Sequence, residues 1–174
     1  MADKLFNALF LCTGNSARSI MGESLLNHYG KGRFHAYSAG SNPKAAPHPM
    51  ALDLLRSLDL PLRGLHSKSW DVFATTSAPV MDFVFTVCDN AANEVCPIWP
   101  GQPMTAHWGV FDPAAVEGTE MEQRDAFRRA FRELENRVKI FTSLRFDALS
   151  RIAIKKKLDE IGHATAASAA DNPV

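Results

Sequence analysis

The sequence predicts a three-layer α/β fold built around a parallel β-sheet. Strand-like and helical segments alternate along the chain, which is the pattern of βαβ units joined by right-handed crossovers. The apolar run Leu5–Phe10 shows no polar alternation, so we interpret it as a strand covered on both faces. In such sheets ligands bind at the carboxyl ends of strands, which directs attention to the loop after the first strand.

Each predicted element has a local signal. Those of the first half are strand Leu5–Phe10, a helix with apolar positions from Ile20 to Tyr29 that ends at Gly30, strand Phe34–Ala39 closed by Gly40, and a helix opened by Pro47 and Pro49. Those of the second half are a short helix Ser67–Phe73 capped by Ser67, strand Met81–Cys88, short strand Thr105–Trp108, a long amphipathic helix through Phe127 and Phe141, and a helix Leu149–Ile161 capped by Asp147.

Length and composition narrow the class of protein. The chain has 174 residues, 46% hydrophobic and 22% charged, which fits one ordinary globular domain. The 19 basic and 19 acidic residues give a formal net charge of zero. General nucleic-acid binders carry a basic excess, so no nucleic-acid partner is predicted. No apolar run approaches the roughly 20 residues that span a bilayer, so no membrane partner is predicted either.

The start of the chain lacks the features of an export signal. Leu5–Cys12 is apolar like a short signal-peptide core, but it has no basic segment beyond Lys4 and no small-residue cleavage site. We therefore expect a cytoplasmic, reduced protein. Its three cysteines, Cys12, Cys88 and Cys96, are then not a disulfide framework, and without a C-x2-C pair they match no zinc site. Judged without their neighbours, they could equally be buried apolar residues.

The loop after the first strand has the spacing C-x5-R, from Cys12 to Arg18. A loop of this kind at a helix N-terminus turns backbone amides inward, where they and the helix dipole bind an oxyanion. Gly14 and Asn15 tolerate the left-handed backbone that such a nest requires. Arg18 offers a planar fork to two oxygens of a tetrahedral anion. The candidate oxyanion-binding residues are Thr13, Gly14, Asn15, Ser16, Ala17, Arg18 and Ser19.

Cys12 is the candidate nucleophile of this loop. The fields that attract an anion also favour thiolate over thiol, so we expect the pKa of Cys12 to be lowered. Ser19 could donate a hydroxyl hydrogen bond to that thiolate. A plain strand-to-helix turn with a buried cysteine and a solvated arginine is the alternative that assigns no function.

A different class also uses such a loop. Thr13-Gly14-Asn15 is similar to the phosphate loop of flavodoxin-like electron carriers, which bind flavin mononucleotide on this architecture. Those loops have no use for a Cys–Arg pair, and they need aromatic rings around the flavin. This chain has an aromatic content of 9% and only two tyrosines.

Four segments together resemble the low-molecular-weight protein tyrosine phosphatase superfamily, in particular its arsenate reductase branch. The segments are LFLCTGNSARS, YSAG at Tyr37–Gly40, TVCDNAANEVCPIWPG at Thr86–Gly101, and HWGVFDP at His107–Pro113. The resemblance covers about residues 4–142 and implies a four-stranded parallel sheet in the order 2-1-3-4. We therefore expect one domain over 1–162, with an additional C-terminal helical segment over 143–162 and a disordered tail over 163–174.

By resemblance, Asp112 before Pro113 is the general acid that protonates the departing oxygen. Phosphatases of the superfamily carry tyrosines after this Asp-Pro, whereas this chain has Ala114 and Ala115. The reductase branch has a cysteine pair after the third strand, where Cys88 and Cys96 lie. The resemblance thus implies arsenate reduction in arsenic resistance, with a redox-active disulfide passed from Cys12 to Cys88 to Cys96. Hydrolysis of phosphotyrosine or another phosphomonoester through Cys12 is the alternative.

The resemblance also implies partners. Phosphate and sulfate should compete with arsenate, and thioredoxin or glutaredoxin with glutathione should supply electrons from outside, with no cofactor bound. Some relatives hold potassium beside the loop at positions that match Asn15, Glu23 and Ser38. The position of the aspartate in that set corresponds to Ser69 or Asp71 here, so the sequence leaves the question of potassium binding open. His107 and Trp108 are expected at the cleft floor or in the core.

Overall fold

A computed structural model describes residues 4–94 and 96–170 of the chain, with side chains up to residue 163. Its strands are β1 (Phe6–Cys12), β2 (Phe34–Gly40), β3 (Phe83–Thr86) and β4 (Met104–His107). All neighbouring pairs are parallel, and the order is β2-β1-β3-β4. This confirms the predicted α/β class and the strand order 2-1-3-4.

Five helices follow the strands in the described part of the chain. They are α1 (Arg18–Tyr29), α2 (Pro49–Ser57), α3 (Asp89–Asn93), α4 (Glu120–Thr142) and α5 (Arg151–Ala170). Two 3₁₀ turns, Trp70–Phe73 and Pro113–Ala115, complete the regular structure. Gly30 ends α1 as predicted, and its amide donates to the carbonyl of Leu26.

Three local predictions need correction. The predicted helix Ser67–Phe73 is a 3₁₀ turn capped by Ser69, and Ser67 instead donates its hydroxyl to the carbonyl of Asn15. Helix α3 was not predicted, because five residues cannot show helical periodicity. Helix α5 extends to Ala170 through an alanine-rich stretch of high helix propensity, which differs from the disorder expected over 163–170. Residues 171–174 lie outside the described part.

Strand β1 is buried on both faces from Ala8 to Cys12, as its mainly apolar sequence predicts. Phe10 and Cys12 point into the main core, which α1 and α4 cover. Leu9 and Leu11 point to the opposite face, against a second cluster formed mainly by the 3₁₀ turn Trp70–Phe73 and by Trp99. The sheet is thus enclosed, and the carboxyl end of its central strand delivers Cys12 to the loop.

Helix α5 packs beside the edge strand β4. The indole Nε1 of the fully buried Trp108 donates to the carbonyl of Leu158 at 3.0 Å. A Cβ added at Gly162 would lie 2.5 Å from the carbonyl oxygen of His107, so only glycine permits this approach. Within the described residues, no helix has the length and apolar character needed to cross a bilayer.

Candidate active site

The loop between β1 and α1 is held from outside by its carbonyl groups. Four consecutive carbonyl oxygens, those of Thr13 to Ser16, each accept one hydrogen bond. Three of the donors are backbone amides: Asn42 donates to Thr13 at 2.9 Å, Lys44 to Gly14 at 2.9 Å, and His48 to Ser16 at 2.8 Å. The fourth donor is the Ser67 hydroxyl, which lies 2.6 Å from the Asn15 carbonyl. Among the described residues, the amides of Asn15, Ser16 and Ala17 donate to no other protein group. These free donors, together with the uncapped N-terminus of α1, form an oxyanion nest.

Asn15 and Gly40 give the loop its shape. Asn15 is fully buried with φ of 45°, the left-handed backbone that the sequence predicts here, whereas Gly14 has no positive φ. The side-chain amide of Asn15 donates to Ser19 Oγ at 2.8 Å. Within the described part of the chain, Ser19 makes no hydrogen bond to Cys12. A Cβ at Gly40 would lie 2.4 Å from the Thr13 carbonyl oxygen, so glycine at the end of β2 makes room for the loop.

The Cys88 thiol lies close enough to the Cys12 thiol for each to shift the pKa of the other, although the two are far apart in sequence. Cys88 Sγ also accepts from the Ala91 amide at 3.4 Å and lies 3.7 Å from Thr13 Oγ1. Both thiols are buried and neither is in a disulfide. The structure therefore brings a second thiol to the candidate nucleophile, which a strand-to-helix turn without function would not require.

The two thiols share one proton, and this corrects the predicted pKa of Cys12. The hydrogen bond to Cys88, followed by burial, raises the pKa of Cys12, although Arg18 and the Gly14 amide act in the opposite direction. The same bond lowers the pKa of Cys88 to about 5. The prediction of a lowered pKa for Cys12 is thus wrong in this structure, because it took no account of a thiol partner.

Arg18 and Asp112 face each other across the mouth of the loop. Arg18 Nη1 donates to the Val110 carbonyl at 2.9 Å, and Nη2 lies 3.7 Å from Asp112 Oδ2. Asp112 also caps the following 3₁₀ turn, where its Oδ1 accepts from the Ala114 amide at 3.0 Å. The predicted clamp and the predicted acid are therefore adjacent, and the second carboxylate oxygen is turned toward the loop.

Arg18, Asp112 and Lys44 line a pocket of about 340 Å³ above the loop. The Lys44 side chain lies over Gly14, because a Cβ built at Gly14 would be 3.3 Å from Lys44 Cε. Two cationic side chains and the free loop amides thus surround a small space. That arrangement suits a compact anion better than a large aromatic ring system.

Cys96 lies outside this pocket. Its half-buried Sγ donates to the Ala91 carbonyl at 3.9 Å, and burial, then the charge of Glu94, raises its pKa. Cys88 accepts from the amide of the same residue. The two sulfurs of the predicted pair therefore lie on opposite sides of Ala91 in α3 rather than in contact.

Sequence reasoning missed several contributors that act over long sequence distances. Buried Arg137 of α4 donates from Nη1 to the carbonyls of Trp108 and Gly109 at 2.7 and 2.8 Å, which fixes the segment before Asp112. It falls in a helix identified only as core packing, and an arginine on an amphipathic helix gives no signal of burial. Trp108 is in the core as expected.

His107 has polar partners at a second cavity. Its Nε2 lies 2.9 Å from Asp89 Oδ1 at the start of α3, and its Nδ1 lies 2.8 Å from Thr86 Oγ1. His107 and Cys88 line this cavity of about 580 Å³, which lies beside Arg18 and Asp112. His107 therefore anchors α3 close to the thiol pair, a role that its sequence context did not reveal.

The residues at the positions that hold potassium in some relatives do not fit a potassium ion in this protein. Glu23 Oε1 accepts from the Ser38 hydroxyl at 2.7 Å, so two of the predicted positions do meet beneath the loop. However, Lys68 Nζ donates to the Ser38 carbonyl at 2.8 Å and lies 3.9 Å from Glu23 Oε1. Ser69, the position of the expected aspartate, caps the 3₁₀ turn by accepting from the Asp71 amide. A fixed ammonium group thus lies at these oxygens.

Comparison with known proteins gives one family. The sequence matches the family described as low molecular weight phosphotyrosine protein phosphatase over residues 7–157. An arsenate reductase of Shouchella clausii (strain KSM-K16) is 36% identical over 132 residues, which are 76% of this chain and 91% of the relative. Two crystal structures show the same fold, those of an arsenate reductase from Archaeoglobus fulgidus DSM 4304 (TM-score 0.61, 26% identity, 79% of this chain and 99% of that chain) and of a low molecular weight protein tyrosine phosphatase from T. tengcongensis (TM-score 0.64, 20% identity, 80% and 99%).

The two solved structures differ in the activity that their names give, so the fold by itself does not separate reductase from phosphatase. The sequence match extends from β1 into α5 and includes the loop, both downstream cysteines and Asp112. The chain therefore belongs to the low molecular weight phosphotyrosine protein phosphatase family, where arsenate reductases are among its relatives.

Proposed function

We propose that this protein reduces arsenate to arsenite with electrons from its own thiols. The observation that carries the proposal is the closeness of Cys88 to Cys12, where each thiol shifts the pKa of the other. A phosphatase of this type needs one cysteine, whereas reduction needs a second thiol within reach of the first. The relatives named arsenate reductase support the same assignment.

In the first step the loop amides and Arg18 hold arsenate while Cys12 attacks the arsenic atom. Before the attack, Cys12 passes its proton to Cys88 along their hydrogen bond, since Arg18 and the Gly14 amide stabilise a thiolate at Cys12. An S–As bond forms, and the bond from arsenic to one oxygen breaks. Asp112 protonates that oxygen, which leaves as water.

In the second step Cys88 gives the proton that it took from Cys12 to an oxygen of the bound arsenic and attacks the Cys12 sulfur as a thiolate. The S–As bond breaks and its electron pair stays on arsenic, which is reduced from As(V) to As(III) and leaves as arsenite. Two thiols are oxidised to a Cys12–Cys88 disulfide, so the electrons balance. Cys96 then attacks Cys88, which releases Cys12 as thiolate and gives a Cys88–Cys96 disulfide.

An external dithiol must reduce that last disulfide before the next turnover. Cys96 is half-buried rather than fully buried, so a disulfide at this position is closer to the surface than one at Cys12. Thioredoxin and glutaredoxin with glutathione are the two donor classes in this proposal. With glutathione as donor, Cys96 would be dispensable.

Phosphomonoester hydrolysis is the second candidate, because Cys12, Arg18 and Asp112 alone suffice for it. The family description names phosphotyrosine phosphatases. The pocket argues against phosphotyrosine as the substrate. The residue that follows Pro113 and lines the pocket is Ala114, so no aromatic side chain is present there to contact a tyrosine ring. We therefore expect hydrolysis only as a slow side reaction.

The two functions separate in cysteine variants assayed for arsenate and for a phosphomonoester. Cys88→Ser should abolish arsenate turnover and leave slow hydrolysis, since hydrolysis needs only Cys12 and water. Cys96→Ser is the matched control, because it changes a thiol outside the nest. It should release one arsenite per protein, leave a Cys12–Cys88 disulfide in peptide maps, and stall with thioredoxin.

Two results would change the assignment. Full multiple turnover of Cys96→Ser with a glutathione-based donor would make the enzyme a glutaredoxin-type reductase with a structural Cys96. Arsenate turnover by Cys88→Ser, measured without glutathione, would remove the relay and put the phosphatase first.

A further inference from the structure

We propose that the Lys68 ammonium is a built-in cation that takes the place of potassium beneath the oxyanion loop and positions Asn15. The proposal concerns the support of the loop, so it holds whichever reaction the loop performs. Lys68 is a positioning residue in this scheme, because it acts through Asn15 and does not touch the pocket that receives the anion.

The ammonium group is enclosed by oxygen atoms. Lys68 Nζ donates to the carbonyls of Ser38 and His66 at 2.8 and 2.9 Å and lies 3.9 Å from Glu23 Oε1. The side chains of Lys68 and Glu23 are only 13% and 11% exposed. Carbonyl and carboxylate oxygens are the ligands that a hard metal cation takes, and here a lysine already uses them.

The charge of Glu23 explains why a cation is needed at this place. Burial raises the pKa of Glu23, and the Ser38 hydroxyl and Lys68 offset only part of that rise. A buried carboxylate without a partner is strongly destabilising, so loss of Lys68 leaves a negative site that favours entry of another cation. As long as Lys68 is present, a second cation would be repelled at contact distance.

The same residue reaches the loop through its backbone. The Lys68 amide donates to Asn15 Oδ1 at 2.9 Å, and the neighbouring Ser67 hydroxyl donates to the Asn15 carbonyl at 2.6 Å. Asn15 is the loop residue with a left-handed backbone, a conformation that persists only when its surroundings hold it. The salt bridge to Glu23 in α1 therefore fixes the segment that holds Asn15 in place.

The test compares potassium chloride with choline chloride at equal ionic strength, using the reduced full-length protein without arsenate. The variants are Lys68→Ala and, as a matched control, Lys31→Ala, which removes an exposed lysine. The readouts are the thermal unfolding midpoint and the affinity for inorganic phosphate by calorimetry. Neither readout depends on reduction, so this proposal and the proposed reductase activity can fail separately.

The wild-type protein and Lys31→Ala should behave alike in both salts. Lys68→Ala in choline chloride should unfold roughly 5–10 °C lower, because it loses the partner of a buried charge. Its phosphate affinity should fall by about tenfold, the lower end of typical losses when a supporting residue is removed. Potassium chloride should recover a large part of both losses, saturably, because potassium then fills the vacated position.

Three outcomes would overturn the proposal. The first is potassium-specific stabilisation of the wild-type protein, which would mean that a metal ion binds there despite Lys68. The second is a Lys68→Ala protein with wild-type midpoint and phosphate affinity in choline chloride. The third is a Lys68→Ala protein that loses both equally in the two salts. If Lys68→Ala does not fold in either salt, Lys68→Arg is the deciding variant. It keeps a cation at this position, so its unfolding midpoint and phosphate affinity should not depend on potassium. A potassium requirement of Lys68→Arg would refute the proposal.

Discussion

The proton shared by Cys12 and Cys88 predicts one thiolate between the two sulfurs of the resting protein. The hydrogen bond from Cys12 is the largest influence that lowers the pKa of Cys88 from an ordinary 9.0 to about 5. A thiol with a pKa of about 5 is roughly 99% ionised at about pH 7, whereas one at about 9 is roughly 1% ionised. Cys12→Ala removes the donor and should raise the pKa of Cys88 by about one unit or more.

Ultraviolet thiolate absorbance, titrated from about pH 4 to about pH 9, measures this change directly. The wild-type protein should show one thiolate with a midpoint at about pH 5. Cys96→Ala is the matched control, because it removes a thiol and leaves the pair intact, so its low midpoint should persist. Only Cys12→Ala should move that midpoint upward.

Folding stability should follow the same titration. Between about pH 5 and about pH 9 the unfolded chain keeps the proton of Cys88 and the native protein does not. The free energy of unfolding contributed by this group therefore rises with pH across that window, and is lost as pH falls through the native pKa. Cys12→Ala should flatten the rise. A wild-type protein without a thiolate below about pH 7, or a Cys12→Ala protein with an unchanged midpoint, would refute the shared proton.

Three further predictions test the frame of the site. Arg137→Met leaves the buried Trp108 carbonyl and the part-buried Gly109 carbonyl without their donor, so it should lower the free energy of unfolding in urea by about 2–4 kcal/mol. Arg132→Met on the exposed face should change little, and equal effects would contradict the role of the buried guanidinium. Gly40→Ala places a Cβ against the loop backbone and should weaken phosphate binding at least about tenfold in calorimetry, and an unchanged affinity would contradict the close fit of the loop to Gly40. A chain that ends after Ser150 uncovers the buried Trp108 and should unfold at lower urea concentration or aggregate, and an unchanged urea midpoint would show that α5 adds nothing to the domain.

The parts of the site that were predictable from the sequence are those whose causes are local. The strand β1, the loop and the start of α1 form one continuous segment, so the spacing from Cys12 to Arg18 carries their geometry in the sequence itself. The left-handed backbone at Asn15 follows from its residue type. The strand order, in contrast, came from resemblance to a family, because spacing and periodicity do not specify which strands are neighbours.

The parts that were not predictable depend on contacts between distant segments. The pKa of Cys12 could not be derived from its own loop, since its largest influence is a thiol that β3 and the following turn deliver. Arg137 and Lys68 look like ordinary surface cations in the sequence, and only the fold shows that both are enclosed by carbonyl oxygens. The end of α5 is a different case, because a small and polar composition indicates disorder whereas alanine has a high helix propensity.

Cys88 has two roles, because its sulfur is a reacting thiol in the proposed reaction and also caps a helix. Its sulfur accepts the Ala91 amide and so caps α3, a helix of only five residues. A helix this short depends on its cap and on outside contacts, here chiefly the link from Asp89 to His107. Oxidation of Cys88 to a disulfide with Cys12 removes the charge of its thiolate, which is the stronger acceptor for that amide, and so weakens the helix that separates Cys88 from Cys96. In the proposed reaction, the step that gives two electrons to arsenic and leaves a buried disulfide therefore also loosens the segment through which Cys96 must reach it.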